Sequence, residues 1–176
     1  MNTIKKFKPY KGLVWMFYVN SRAIIERSDN GATEIVIQKR TKTDSSFQFE
    51  LPGGRIEPFE SLVQALVREV KEETGLNVYE IEGTETRIDT TGINPEFEVE
   101  CLQPFAAYQT IKGPIDSVGY YFRCKASGDL LEAGDETIDI QWIDIKKLNN
   151  LFMENPLAFS DVDRAGIKYY LNHQGF

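Results

Sequence analysis

The chain has 176 residues, of which 41% are hydrophobic and 27% charged, and it carries a net charge of −7. That mix is typical of a folded globular domain rather than a disordered segment, and the length suits one domain with one good core. The acidic balance argues against a general nucleic-acid binder, which needs a basic face. It leaves room for a small phosphorylated ligand held through divalent cations and a few local Lys or Arg side chains. No apolar run approaches the ~20 residues that cross a bilayer, and the opening residues lack the apolar stretch of a signal peptide. The expectation is a cytoplasmic protein without a membrane partner. Cys101 and Cys124 lie in strand-like apolar segments and are expected to be buried free thiols.

Along the chain, residues 13–19 and 22–26 have strand character, followed by the turn Ser28-Asp29-Asn30-Gly31. Residues 34–40 carry the β-branched run Ile35-Val36-Ile37 and are expected to form a well-buried strand. Phe47, Phe49 and Leu51 alternate with Gln48 and Glu50, giving a short strand that ends at Pro52-Gly53-Gly54. From about residue 61 to residue 74 the period turns helical. Further strands are expected over residues 78–82, 97–108, 118–125 and 138–143. Helices are expected over 144–153 and 160–172, the second with Ser160 as its N-cap. With no repeat, low-complexity tract or Pro/Ser-rich linker, residues 1–176 are expected to form a single domain. Helices spread through a mostly β centre point to an α/β sandwich.

The stretch from Gly54 to Leu76 carries the unusual chemistry. Ser61 and Gln64 have the spacing of a capping box, and Gly75 suits the left-handed position that closes a helix. On a wheel of ~100° per residue with Glu69 at zero, Leu62, Val63, Leu66, Val67 and Val70 fill an arc from about 20° to 160°, the core-facing side. Glu72 falls at about −60° and Glu73 at about 40°, so three carboxylates gather at one edge of that stripe, with Glu73 inside it. A charge run on a helix is ordinarily a solvated face, but that does not account for an acid within the apolar arc. Glu69 and Glu73 are a like-charge pair one turn apart, costing ~0.2–0.5 kcal/mol on an open helix and more at a partly buried edge. Arg68 can supply a counter-charge to Glu72. The other two acids ask for a hard divalent cation with oxygen ligands. Gly53-Gly54 lets the backbone approach closely, so a carbonyl there can complete such a shell.

Gly54, Glu60, Arg68, Glu69, Val70, Glu72, Glu73, Gly75 and Leu76 stand at every fixed position of the Nudix box: glycine, five residues, glutamate, seven residues, then Arg-Glu-aliphatic-any-Glu-Glu-any-Gly-aliphatic. The chain resembles the Nudix hydrolase family, directly over the 23 residues of the box. The match is looser through the strand pattern around the box, the Leu51-Pro52-Gly53 lead-in, and Trp142-Ile143-Asp144 followed by Leu148. The resemblance implies a Nudix-type α/β/α sandwich with a mixed central sheet. It also implies a Mg²⁺-dependent hydrolase, with Mn²⁺ as a substitute, that cleaves the phosphoanhydride bond of a nucleoside diphosphate linked to another moiety. Water attacks phosphorus, assisted by the metal. Carried onto these positions, Glu69 and Glu73 are metal ligands, with the Gly54 carbonyl as a third. Glu72 is a ligand or the base that orients the water, Arg68 holds a glutamate in place, and Glu60 is structural or supports a ligand. The family often draws a further acid from a loop before the last core strand, and Glu136 is the candidate here.

The implied partner is a small phosphorylated substrate of nucleotide origin, not a nucleic-acid polymer. Homodimers are common in the family, and nothing in this sequence decides that point. Arg40, Lys42 and Arg55 lie near the box as candidate phosphate contacts, and Tyr108 is an aromatic that could stack a base. The sixteenth residue beyond Leu76 is Gly92, so the proline or tyrosine that marks some ADP-ribose or dinucleoside-polyphosphate members is absent, as is the coenzyme A motif. The alternative is a non-catalytic nucleotide or ADP-ribose sensor of the same fold, which an intact box disfavours. The isomerase branch uses a reactive cysteine and a histidine-bearing metal site, whereas His173, the only histidine, lies near the C-terminus.

Overall fold

The structure, a computed structural model, describes residues 17–41 and 47–176. β1 (Phe17–Asp29) and β2 (Ala32–Arg40) are antiparallel neighbours joined at Asn30-Gly31. β3 (Phe49–Glu50) and β4 (Gly53–Arg55) lead into α1 (Leu62–Thr74). There follow β5 (Asn77–Ile81), β6 (Ile88–Asp89), β7 (Glu100–Cys101), β8 (Ala106–Gln109) and β9 (Asp116–Ser127). β10 (Ala133–Gly134), β11 (Thr137–Asp144), α2 (Ile145–Glu154) and α3 (Asp161–His173) complete the order.

Among the described residues nine strands make one sheet in the order β10-β11-β2-β1-β9-β5, with β3 on β2, β4 on β1 and β8 on β9. β1 and β9 run parallel while the other pairs are antiparallel, so the sheet is mixed, as expected. Successive side chains of a strand point to opposite faces, and this alternation divides the core in two. Ile24, Ile35, Ile37 and Tyr121 pack with Leu148 and Phe152 of α2 and with Ile167 and Tyr170 of α3. Ala23, Ile25, Val36, Phe122 and Cys124 pack with Leu66 and Val70 of α1. The sheet is therefore covered by α1 on one face and by α2 and α3 on the other, the expected α/β/α sandwich. Among the described residues no helix is long and apolar enough to cross a membrane.

Three local expectations change. The sequence separates strands over 13–19 and 22–26, but Phe17–Asp29 is one strand. Asn20 and Ser21 stay extended because they pair with β4 on one side and β9 on the other; residues 13–16 lie outside the described residues, as does Lys42. The single strand expected over 97–108 is two short ones, β7 and β8. Pro104 between them has no N–H for a ladder, and β7 pairs with β6 in a separate two-stranded ribbon. Cys101 lies on that ribbon and is exposed, whereas Cys124 is buried as expected, and burial pushes its thiol up to about 12.

One buried ion pair ties the α3 face to the sheet. Arg22 Nη1 lies 3.7 Å from Asp163 Oδ2 and donates to Leu51 O at 3.0 Å. Asp163 Oδ2 in turn accepts from Leu51 N at 3.2 Å and from Ser160 Oγ at 2.8 Å. Removing one partner of such a pair strands the other charge in a low-dielectric interior. Asp163→Ala is therefore expected to destabilise the protein by about 3 kcal/mol in urea unfolding. At pH 8 one thiol, Cys101, should react promptly with Ellman's reagent and the second only after unfolding; two fast thiols would contradict the burial of Cys124.

Candidate functional site

The α1 helix begins and ends as its sequence predicts. Ser61 Oγ accepts from Gln64 N, the Gln64 side chain accepts from Ser61 N, both at 3.1 Å, and Gly75 closes the helix at φ 80°. Its buried residues are Ala65, Leu66, Val70, Glu73 and Thr74, while Val67 is exposed. On the same wheel the buried arc thus runs from about −40° at Ala65 to about 140° at Thr74. Glu69 therefore lies within the buried arc rather than at its edge, together with Glu73, which the wheel already places inside it. The helix packs on β1 and β4, with Glu69 against Gly54 and Glu73 bound to Gly53 N.

Glu73 is 4% exposed. Its Oε2 accepts two hydrogen bonds, from Gly53 N at 2.8 Å and from Gln38 Nε2 at 2.7 Å. Glu69 lies against Gly54: a Cβ at that position would stand 2.5 Å from the Glu69 carboxylate, so only glycine leaves the acid its place. Arg68 spreads over three glutamates. Its Nε and Nη2 hold Glu60 at 2.8 and 2.9 Å, and Nη1 reaches Glu69 at 2.8 Å and Glu72 at 3.2 Å. This fork geometry keeps the Glu60 carboxyl below the usual range, chiefly through the Arg68 hydrogen bonds. Glu72 remains about half exposed.

A turn from the other end of the chain completes the arrangement. Gly134 packs on the end of α1 so closely that a Cβ there would meet Glu73 O. Asp135 N donates to Glu72 O at 3.1 Å and Thr137 Oγ1 to Glu73 O at 3.1 Å. Asp135 and Glu136 are thereby carried to a cleft of about 710 Å³ lined by Asn20, Arg22, Arg40, Gly54, Arg55, Glu57, Arg68, Glu69 and Glu73.

Gly54, Arg68, Glu69, Glu73, Glu136, Arg40 and Arg55 thus meet in one cleft. Arg40 Nε is 3.3 Å from Glu50 Oε1, and the Arg55 guanidinium stacks 3.6 Å over the Tyr18 ring. Tyr108 lines a different hollow, beside Thr110, Lys112 and Ser117, and touches the cleft only through its hydroxyl, which accepts from Asn20 Nδ2 at 2.8 Å. Asn20, Arg22, Gln38 and Asp135 are additions that the sequence reading does not single out. Gln38 has a signal in retrospect: it is a polar residue directly after the buried run Ile35-Val36-Ile37.

The donor chemistry fits a hard divalent cation: carboxylate oxygens and a backbone carbonyl, with one acid buried beyond what its two N–H donors offset. Among the described residues no three His, Cys, Asp or Glu side chains already converge at metal-binding spacing. Arg68 supplies the counter-charge to Glu69 and Glu72 in this arrangement.

A family model described as NUDIX domain matches residues 17–161. An 8-oxo-dGDP phosphatase of Danio rerio is 27% identical over 147 residues, spanning 81% of this chain and 37% of that protein. The CTP pyrophosphohydrolase of Escherichia coli is 43% identical over 54 residues, 31% of this chain and 38% of that protein. The chain thus spans less than half the length of the curated relatives it matches. A NUDIX hydrolase structure from Nitrosomonas europaea superposes with a TM-score of 0.62 at 19% identity, covering 90% of this chain and 72% of the other. At that identity the likeness is one of fold.

Burial pushes the Glu73 carboxyl up to about 7, against the opposing pull of the Gly53 N–H, the Arg22 charge and Gln38. A carboxyl raised on folding favours the native state most below its unfolded value of 4.5, and that advantage is lost as pH rises through about 7. In EDTA, Glu73→Gln is therefore expected to match the parent near pH 4.5 and to exceed its stability at pH 8, by a margin on the order of 3 kcal/mol. Parallel pH–stability curves for the two proteins would overturn this reading.

Proposed function

This chain belongs to the NUDIX domain family, and on that premise we propose that it is a Mg²⁺-dependent pyrophosphohydrolase acting on a nucleoside diphosphate linked to another moiety. The observation that carries the reading is a buried glutamate, Glu73, beside a second, Glu69, seated on a glycine, in a cleft that also holds Arg40 and Arg55. Acids and arginines lining one cleft suit a polyanion bridged by a cation better than they suit either alone.

In this reading Glu69, Glu73 and the Gly54 carbonyl would hold the ion, with Glu136 of the β10–β11 turn lining the same cleft. Such an ion would supply charge neutralisation at the phosphate oxygens and acidify a nearby water. Arg68 keeps Glu69 and Glu72 at set positions, and its grip on Glu60 anchors it to the loop before α1. Glu72, half exposed beside Arg68, takes the proton as the water oxygen bonds to phosphorus; the bridging P–O bond breaks, and its electron pair leaves with the departing phosphate. Arg40 and Arg55 neutralise the remaining phosphate charge. Tyr108 contributes by orienting Asn20 through their shared hydrogen bond.

The relatives' names direct the choice of substrates. 8-oxo-dGDP, 8-oxo-dGTP and CTP come first, with ADP-ribose, nucleotide sugars and dinucleoside polyphosphates beside them, and products identified by mass. Mg²⁺-dependent cleavage abolished by EDTA is expected for one class. Glu69→Gln, Glu72→Gln and Glu73→Gln should each lower kcat by at least ~10²-fold with the fold intact. Unchanged turnover in all three would sink the site, and tight binding of ADP-ribose without turnover would support a sensor instead.

A further inference from the structure

Gln38 is fully buried on β2, in a strand centre otherwise made of Ile35, Val36 and Ile37. Alternation along the strand sets Ile35 and Ile37 toward α2 and α3, and sets Val36 and Gln38 toward α1. There the Gln38 amide meets the one acid of α1 that the core encloses. Its Nε2 donates to Glu73 Oε2 at 2.7 Å, and Gly53 N donates to the same oxygen at 2.8 Å. Both donors thus converge on Oε2, and among the described residues Glu73 Oε1 accepts none. The Gln38 Oε1 atom, in contrast, is buried without a hydrogen-bond partner.

An orphaned carbonyl in a core is a cost to folding, and an apolar side chain of the same length would avoid it. If Gln38 served stability alone, its place in an apolar row would be hard to account for. We propose that Gln38 is a positioning residue: it fixes the Glu73 carboxylate with one oxygen tied to the protein and the other turned to the cleft for a divalent cation. This rests on the reading of Glu73 as a ligand. Outer partners of this kind set ligand orientation, and their loss weakens metal binding without touching the metal.

Gln38→Met keeps the chain length and removes both the N–H donor and the orphaned carbonyl. The experiment titrates metal-free protein with Mn²⁺ alone, following free Mn²⁺ by its EPR signal, and measures Tm in EDTA. The expected result is a Mn²⁺ Kd raised roughly 10- to 100-fold, with Tm equal to the parent's or higher. In a Glu73→Gln background the same substitution should leave the residual Mn²⁺ affinity unchanged, since Gln38 acts through Glu73. Parent-like Mn²⁺ affinity with a lowered Tm would overturn the proposal and make Gln38 a purely structural residue. Absence of Mn²⁺ binding by the parent would overturn the metal reading of the cleft, and this inference with it. Gln38→Leu provides the same measurement if the methionine variant does not fold.

Discussion

Leu51 to Gly54, running from the end of β3 into β4, have their backbone groups taken by three separate elements, α3, β1 and α1. Asp163 of α3 accepts the Leu51 N–H, and Arg22 of β1 donates to the Leu51 carbonyl. Ala23 N donates to the Pro52 carbonyl at 2.8 Å, and Glu73 of α1 accepts the Gly53 N–H. A short extended segment has few contacts of its own with which to resist motion, so its position is set by these outside partners. Through it the core of the α3 face and the core of the α1 face are joined at the edge of the cleft. Glu69 then rests on Gly54 at the end of the same segment, so the separation of the acids follows from this corner.

Charge is balanced locally within the same region. Arg22 faces Asp163 in the interior, with Glu50 and Glu73 nearby. Arg68 answers Glu60, Glu69 and Glu72 at the surface of α1. Glu73 belongs to neither group as a direct ion pair. It is held by two neutral N–H donors, and burial outweighs them. A carboxylate left in that condition is destabilising in an apoprotein and becomes favourable once a cation shares its charge.

How the turn between β10 and β11 reaches the acids shows the distance between spacing and contact. Glu136 lies some sixty residues beyond Glu73 in the chain. It arrives at the cleft because Gly134 has no side chain to hold the turn off α1, and because Asp135 and Thr137 bind the carbonyls at the helix end. Tyr108 makes the opposite point. Its composition and neighbourhood suit a base-stacking aromatic, yet its ring packs beside Tyr121, with centroids 5.4 Å apart, and only its hydroxyl addresses the cleft.

The sequence by itself determined the box helix, both of its caps, the acids it carries and the sandwich class, because each depends on spacings of a few residues and on periods of two or 3.6. It placed Glu73 in an apolar arc for the same reason. Only the tertiary structure decided that the arc is rotated toward Glu69, that residues 97–108 break at Pro104 into two strands in different sheets, and that Cys101 is exposed. It alone paired Gln38 with Glu73 and Arg22 with Asp163. Those outcomes rest on contacts between residues 35 and 141 positions apart, respectively. Local propensity carries no record of such partners; they are selected when buried polar groups must find one another as the layers close.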